Sequence, residues 1–198
     1  TIAPKELTLK LTDCSKTYDG TANLTSFNPK VEGFIFYDEG SYKSDTLDYD
    51  DVYDDVRVDP EKLTVTLPDC KVGAYTTAKV SGITLIGEDA ANYTLAETLE
   101  NVPISDNWGD PFEIGKASIT IISRDQNVEQ GAEIDQNAYT VEGLPQNHEI
   151  RGVVLVKDGN QVTVNTETIV IVNAEGENVV EYFDISSRNE GILTEVCQ

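Results

Sequence analysis

The sequence contains little of the chemistry on which enzymes and metal centres depend. Its 198 residues include no methionine, one tryptophan, one histidine and three cysteines. With a single histidine, His148, and no C-x-x-C pair, a Cys/His zinc site within this chain is excluded. The histidine lies in the polar stretch GLPQNHEIRG, which predicts an exposed loop residue, and no nucleophile motif such as G-x-S-x-G accompanies it. We therefore predict a protein that is not an enzyme.

Positive charge is also scarce. The chain has 14 Lys and Arg against 36 Asp and Glu, a formal net charge of −22. Such a field repels phosphate backbones and anionic lipids, which argues against nucleic-acid binding and electrostatic membrane docking. No apolar run approaches the roughly 20 residues of a membrane-spanning helix. The chain begins at Thr1 without a signal-like segment, which suggests a mature or excised fragment.

What the sequence does contain is the alternating pattern of β-strands. ELTLKLTD places Leu7, Leu9 and Leu11 on one face, and the same period of two recurs in KLTVTLPD, SGITLIGED and KASITIISR. Asp158-Gly159 separates two β-rich runs and predicts a hairpin. Helical periodicity is absent, although a short helix or 3₁₀ turn is predicted near Pro60–Lys62. The predicted fold class is all-β.

A break in the strand rhythm divides the chain. The stretch ENVPISDNWGDPFEIGKAS is rich in Pro, Gly and Asp, and a new strand, ASITIIS, follows it. We therefore predict two tandem domains, residues 1–115 and residues 116–198, each a small antiparallel, Ig-like β-sandwich. A β-grasp-like sheet with one helix is the alternative for the second domain.

The acidic segment SDTLDYDDVYDDVRVDPEK is the clearest candidate for an ion site. Asp48, Asp50, Asp51, Asp54 and Asp55 provide clustered carboxylate oxygens, which calcium prefers. The spacing of an EF-hand is missing, however, and the intervening Tyr and Val residues favour strands. The interpretation with more weight is a strand-rich region with a solvated acidic face.

Aromatic side chains suggest a second kind of binding. Tyr37 and Tyr42 lie beside carboxylates in GFIFYDEGSY, where they could stack on sugar rings. The competing interpretation places Phe34 and Phe36 in the core, with Tyr37 at its rim. Trp108 lies in the Gly/Asp/Pro-rich stretch and is expected either to bind ligand or to fill the joint between the two domains.

The cysteines leave two alternatives open. Cys14 and Cys70 both lie in the first half, whereas Cys197 lies at the C-terminal edge. A Cys14–Cys70 disulfide would suit an oxidising compartment. Two buried thiols are equally compatible with the sequence, because the distance between the two Cα atoms cannot be read from it.

Two separate motifs resemble the YDG domain of bacterial cell-surface proteins, over roughly residues 5–120. The first is the segment KTYDGT, and the second is VSGITLIGEDAANYTL, which has the form of a G-x-x-L-x-G strand followed by A-x-N-Y-x-L. The residues that carry the resemblance are Lys16, Tyr18, Asp19, Gly20, Thr21, Gly82, Leu85, Gly87, Ala90, Asn92, Tyr93 and Leu95. From the residues themselves, Asp19-Gly20 is predicted to be a turn, with Tyr18 packed inward and its hydroxyl bonded to backbone.

The second half is similar to the MBG-type domains that often follow YDG domains. It has a strand, a glycine turn, YTVEGL, and a closing N-x-x-G-x-x-V segment that leads to a Tyr strand and a G-x-L strand. Members of that family usually carry Tyr-Gly near the glycine turn, where this chain has Gln130-Gly131.

The resemblance implies an extracellular, wall-attached or secreted bacterial protein built as a string of β-domains, with neighbouring repeat domains as partners. The leading functional hypothesis is a non-catalytic stalk or adhesion module without a cofactor, calcium being the one ion considered. The alternative is a module that binds carbohydrate or mucin through an aromatic and acidic site. A secreted glycosidase is the third and weakest hypothesis.

Overall fold

The computed structural model describes residues 3–33 and 54–196. Within these ranges the regular elements are strands, apart from 3₁₀-helices at Pro60–Lys62, Ala90–Asn92 and Val180–Tyr182. The predicted all-β class is confirmed, and so is the short helix at Pro60. In the part of the chain described, no helix is long and apolar enough to cross a membrane.

Contacts between residues divide the chain into two compact units. Unit 1 comprises Thr1–Lys16 and Ala22–Ile114, and unit 2 comprises Thr17–Thr21 and Gly115–Gln198. The sequence-based division assigned residues 17–21 to the first domain, but these residues group with unit 2. The chain leaves unit 1 after residue 16, contributes five residues to unit 2 and then returns to unit 1. So short an excursion leaves no signal in composition, which is why the sequence did not reveal it.

Unit 1 consists of short strands arranged in several sheets. Two sheets have four strands, in the orders β11-β8-β6-β3 and β4-β2-β12-β7, and β1-β10 and β5-β9 form separate pairs. The strands are β1 Lys5–Glu6, β2 Thr8–Thr17, β3 Asn23–Leu24, β4 Ser26–Glu32, β5 Arg57–Val58, β6 Thr64–Thr66, β7 Gly73–Tyr75, β8 Thr77–Ser81, β9 Leu85–Ile86, β10 Tyr93–Thr94, β11 Thr98–Pro103 and β12 Phe112–Gly115.

The core of unit 1 follows from the alternation of apolar side chains. Leu7, Leu9 and Leu11 are all buried, as their spacing predicts, and Phe112 and Ile114 of β12 are buried with them in the chain's apolar core. Burying each such side chain contributes about 1.5–3 kcal/mol of hydrophobic stabilisation. In β2, β8 and β12 the buried residues therefore alternate with more exposed ones, which gives each of these strands one interior face.

Unit 2 also consists of short strands in several sheets, and β13 is the central strand of one of them. Its sheets have the orders β15-β13-β20, β14-β21-β18-β17 and β16-β19. The strands are β13 Ala117–Ser123, β14 Gln126–Glu129, β15 Tyr139–Glu142, β16 Glu149–Arg151, β17 Val154–Asp158, β18 Gln161–Asn165, β19 Val170–Val172, β20 Phe183–Arg188 and β21 Gly191–Val196. Ile119 and Ile121 at the centre of β13 are completely buried.

The hairpin predicted at Asp158-Gly159 is present. β17 and β18 are antiparallel, and the pair Asp158↔Gln161 closes a loop of two residues, Gly159 and Asn160. Gly159 has φ +61°, whereas Asn160 has no positive φ. Positive φ at the first central residue alone is the pattern of a type II′ turn, whose twist suits a hairpin.

The predicted antiparallel pairing holds for most of the described strand pairs, but three pairs are parallel. In unit 1, β1 is parallel to β10, and in unit 2, β13 is parallel to β20 and β14 is parallel to β21. Alternating apolar residues identify a strand and its buried face, but they carry no information about the direction of its neighbour. The β-grasp alternative is not met in residues 115–196, where the helix described is the single 3₁₀ turn Val180–Tyr182.

Candidate functional site

The YDG motif forms a tight turn directly after β2, the strand that contains Lys16. Gly20 has φ +78°, a left-handed conformation that glycine adopts without strain. The Asp19 carboxylate accepts hydrogen bonds from the Thr21 backbone N–H at 2.8 Å and from the Thr21 hydroxyl at 2.9 Å. The aspartate and the glycine therefore set the shape of the turn, while the tyrosine side chain is left to make other contacts.

Tyr18 is the central member of an aromatic cluster in unit 2, which we define as Tyr18, His148, Tyr182 and Phe183. The Tyr18 side chain is 3% exposed. Its ring centroid lies 5.0 Å from that of Tyr182, and it meets His148 and Phe183 edge-on at 5.6 and 5.4 Å. Edge-to-face rings at such distances attract one another beyond the gain from burial alone. The Tyr18 backbone N–H also donates to the Gly115 carbonyl at 2.9 Å.

His148 is not the exposed loop residue that its sequence neighbourhood predicted. It is half-buried in the aromatic cluster, and its Nε2 lies 3.1 Å from the Tyr18 hydroxyl. Its Nδ1 lies 3.0 Å from the Gln146 carbonyl oxygen, which can only accept, so Nδ1 carries the proton and donates. In the neutral ring Nε2 then accepts from Tyr18. The prediction was wrong because the contact joins residues 130 positions apart.

The second YDG motif is anchored by Tyr93, which follows the 3₁₀-helix Ala90–Asn92. The Tyr93 side chain is 5% exposed and packs with Leu7 and Val56. Its hydroxyl donates to the Asp54 carboxylate. The Asn92 position is thus the end of a short helical turn that delivers the tyrosine to the core.

Gly87 allows two backbone segments of unit 1 to approach closely. Gly87 has φ +121°, and a Cβ there would lie 2.1 Å from the Asp55 carbonyl oxygen. That oxygen accepts the Asp89 N–H at 3.1 Å, and the Asp55 N–H donates to the Asp89 carboxylate at 2.9 Å. Gly82 has a similar role, with φ +74° and a hypothetical Cβ 2.2 Å from the Lys62 carbonyl oxygen. Both motif glycines are required by packing.

Two of the five predicted calcium ligands have structural partners. Asp54 accepts from Tyr93, and the Asp55 carboxylate accepts from Arg57 at 2.7 Å and from the Glu88 N–H at 3.3 Å. The other three, Asp48, Asp50 and Asp51, lie outside the described residues. Residues 3–33 and 54–196 contain no group of three or more His, Cys, Asp or Glu side chains placed to hold a metal. The calcium site stays a prediction.

Of the three aromatic residues predicted to bind ligand, the structure describes Trp108. Tyr37 and Tyr42, together with the core candidates Phe34 and Phe36, lie outside the described residues. The Trp108 side chain is 83% exposed.

The loop around Trp108 is held by one carboxylate. The Asp106 side chain accepts hydrogen bonds from the backbone N–H groups of Trp108 at 2.8 Å and of Asp110 at 3.0 Å. The Asp106 N–H donates in turn to the Asp110 carbonyl at 3.0 Å. The indole is therefore presented to solvent on a hydrogen-bonded loop.

No disulfide joins Cys14 to Cys70 in the structure, and Cys197 lies outside the described residues. Cys14 is buried, and this burial, with a smaller contribution from the Asp13 charge, raises the pKa of its thiol to about 11. The thiol is therefore neutral at physiological pH and a poor nucleophile.

Comparison with known families identifies the first half of the chain. Residues 3–100 match the model of the YDG domain. This span contains both of the motifs described above, the Tyr18 turn and the Gly82–Leu95 segment. No match was found among curated proteins or among solved structures. The comparison thus supports a YDG domain at residues 3–100.

Proposed function

We propose that this chain is a non-catalytic, extracellular stalk or adhesion module of a bacterial surface protein, which spaces or presents binding regions. The YDG domain at residues 3–100 supports this, since the family resemblance implies such proteins. Neighbouring repeat domains of the same chain are the proposed partners.

We also propose that residues 116–198 are an MBG-type domain. The described elements that support this assignment are β13, the glycine turn at Gly131, β15 with its YTVE sequence, and β21 with its G-x-L pattern. The strand β20 directly follows Tyr182 and corresponds to the Tyr strand of the closing pattern.

The observation that carries the stalk proposal is the parallel pairing within unit 2. β13 pairs with β20 from Ala117↔Phe183 to Ile122↔Arg188, and β14 pairs with β21 from Gln126↔Leu193 to Glu129↔Val196. When the early strand of a parallel pair is pulled from its N-terminal end and the late strand from its C-terminal end, the strands slide along one another. Their evenly spaced hydrogen bonds then bear the load together. A unit with this topology is expected to resist tension along the chain.

Single-molecule stretching tests the stalk proposal. With handles at Gly115 and Gln198, unit 2 is expected to unfold in one high-force event. The contour length is expected to increase by about 30 nm, at 3.6 Å per residue over Gly115–Gln198. As a control, handles at Val154 and Asn165 pull apart the open end of the β17–β18 hairpin. Hairpin bonds break there one at a time, so the force is expected to be several-fold lower. Equal forces in the two geometries would contradict a load-bearing role.

Trp108 favours a second candidate function, a carbohydrate- or mucin-binding module. An 83% exposed indole on a hydrogen-bonded loop can stack on a sugar ring, and the neighbouring Asp106 and Asp110 carboxylates can accept bonds from sugar hydroxyls. Tyr37 and Tyr42 are the other proposed contacts. This proposal supplies a binding activity for the adhesion role.

A glycan and mucin binding screen of the intact chain tests this second candidate. Trp108→Ala is expected to weaken any saturable binding by about tenfold, the loss of one stacked aromatic ring. Trp108→Phe is expected to retain most of the binding. Because the side chain is exposed, neither change should lower the melting temperature. The absence of saturable binding by the unaltered chain would rule out this function and leave the stalk proposal standing.

A further inference from the structure

The tyrosine of the Tyr-Asp-Gly turn packs against three ring side chains of unit 2, those of His148, Tyr182 and Phe183. Residues 17–21 belong to unit 2, although the rest of that unit begins at Gly115. The turn therefore enters unit 2 as a short separate segment. It is held there by the Tyr18 N–H, which donates to the Gly115 carbonyl, and by the Tyr18 ring.

The tyrosine supplies both shape and one specific polar contact. Its ring is 3% exposed and meets His148 and Phe183 edge-on, with Tyr182 tilted against it. Because His148 Nδ1 donates to the Gln146 carbonyl, Nε2 of the neutral ring presents a lone pair to the Tyr18 hydroxyl at 3.1 Å. Phenylalanine would fill the same space but would leave this acceptor without the hydroxyl.

The close packing of the turn against His148 also requires a glycine at position 20. A Cβ at Gly20 would lie 2.6 Å from His148 Cε1, well inside van der Waals contact. The imidazole could relieve this contact only by moving, and its two hydrogen bonds hold it in place. Gly131 has a similar left-handed φ, +85°, but nothing is found within 4 Å of its Cβ position. The two glycines thus share a left-handed φ, but of these two only Gly20 is closely covered.

We propose that the YDG signature is a docking motif, and that His148, Tyr182 and Phe183 form its receptor. The tyrosine fills the receptor, the aspartate holds the turn, and the glycine permits the close approach of His148. The unit that carries the receptor reaches its full stability only when a Tyr-Asp-Gly turn occupies it. This inference concerns recognition within the chain and does not depend on the stalk or adhesion role.

Hydrogen exchange of the full chain tests the docking proposal with a matched pair of variants. Gly20→Ala and Gly131→Ala introduce the same left-handed strain, so their difference isolates the contact with His148. We expect exchange in β20 and β13 to be about tenfold faster in Gly20→Ala than in Gly131→Ala. Equal exchange in the two variants, or faster exchange in Gly131→Ala, would overturn the proposal.

A reciprocal measurement uses the receptor side. His148→Ala is expected to accelerate exchange of the Tyr18 amide by about tenfold, although 130 residues separate the two positions. The milder Tyr18→Phe retains the ring, so it is expected to leave the chain folded and to accelerate exchange in β20 by a smaller factor. An unchanged Tyr18 amide in His148→Ala would show that the turn forms without the receptor and would overturn the proposal.

Discussion

Replacing Tyr18 by alanine is expected to lower the free energy of unfolding of unit 2 by about 3–5 kcal/mol. The side chain is 3% exposed and touches three other rings, so its removal leaves a cavity that the surrounding rings cannot close. The deletion also takes away the hydroxyl that meets His148 Nε2. Denaturation of the intact chain in urea, followed by circular dichroism, measures the change.

The matched control for this prediction is Tyr18→Phe. It keeps the ring and its edge-on contacts but removes the hydroxyl, so the expected loss is about 1 kcal/mol, the net value of one hydrogen bond. A loss below about 1 kcal/mol for Tyr18→Ala itself would show that the aromatic cluster contributes little to stability, because a buried ring of this size should cost several times more.

Replacing Gly87 by alanine is expected to destabilise unit 1 by at least about 3 kcal/mol. The new Cβ would lie 2.1 Å from the Asp55 carbonyl oxygen and 2.8 Å from its carbon, and backbone atoms cannot move aside as a side chain can. Any shift of Asp55 also disturbs its hydrogen bonds with Asp89. Thermal and urea unfolding of the variant report the loss.

Gly109→Ala is the control for Gly87→Ala. Gly109 has φ +88°, and nothing lies within 4 Å of its Cβ position, so this variant carries only the conformational cost of about 1–2 kcal/mol. If the two variants were equally destabilised, the close approach of residues 55 and 87 would not matter to the fold.

The YDG motif shows how far local sequence reasoning extends. Tyr followed by Asp-Gly predicted a turn with a buried aromatic anchor, because Gly20 and the Asp19 carboxylate act on their immediate neighbours. The partner of the tyrosine hydroxyl was predicted to be backbone, whereas the structure brings it to His148. A contact across 130 residues depends on the path of the chain and has no signature in the local pattern.

The acidic segment shows a different limit. Clustered carboxylates in the sequence suggested ion binding, but Asp54 and Asp55 have partners in Tyr93, Arg57 and the Glu88 backbone. The sequence shows which groups could bind an ion and not which groups already satisfy one another. Trp108 was a second residue whose environment the sequence did not show. Its side chain is 83% exposed on a loop held by Asp106, although a large apolar side chain is usually buried.

The sequence by itself determined the all-β class, the buried faces of the main strands and the β17–β18 hairpin. These features depend on a period of two and on turn residues, which act over a few positions. Only the tertiary structure decided that β13 runs parallel to β20, that residues 17–21 complete unit 2, and that His148 faces Tyr18. Each of these joins segments far apart in the chain. Many chain paths would satisfy the same local pattern, and the packing of the whole core selects one of them.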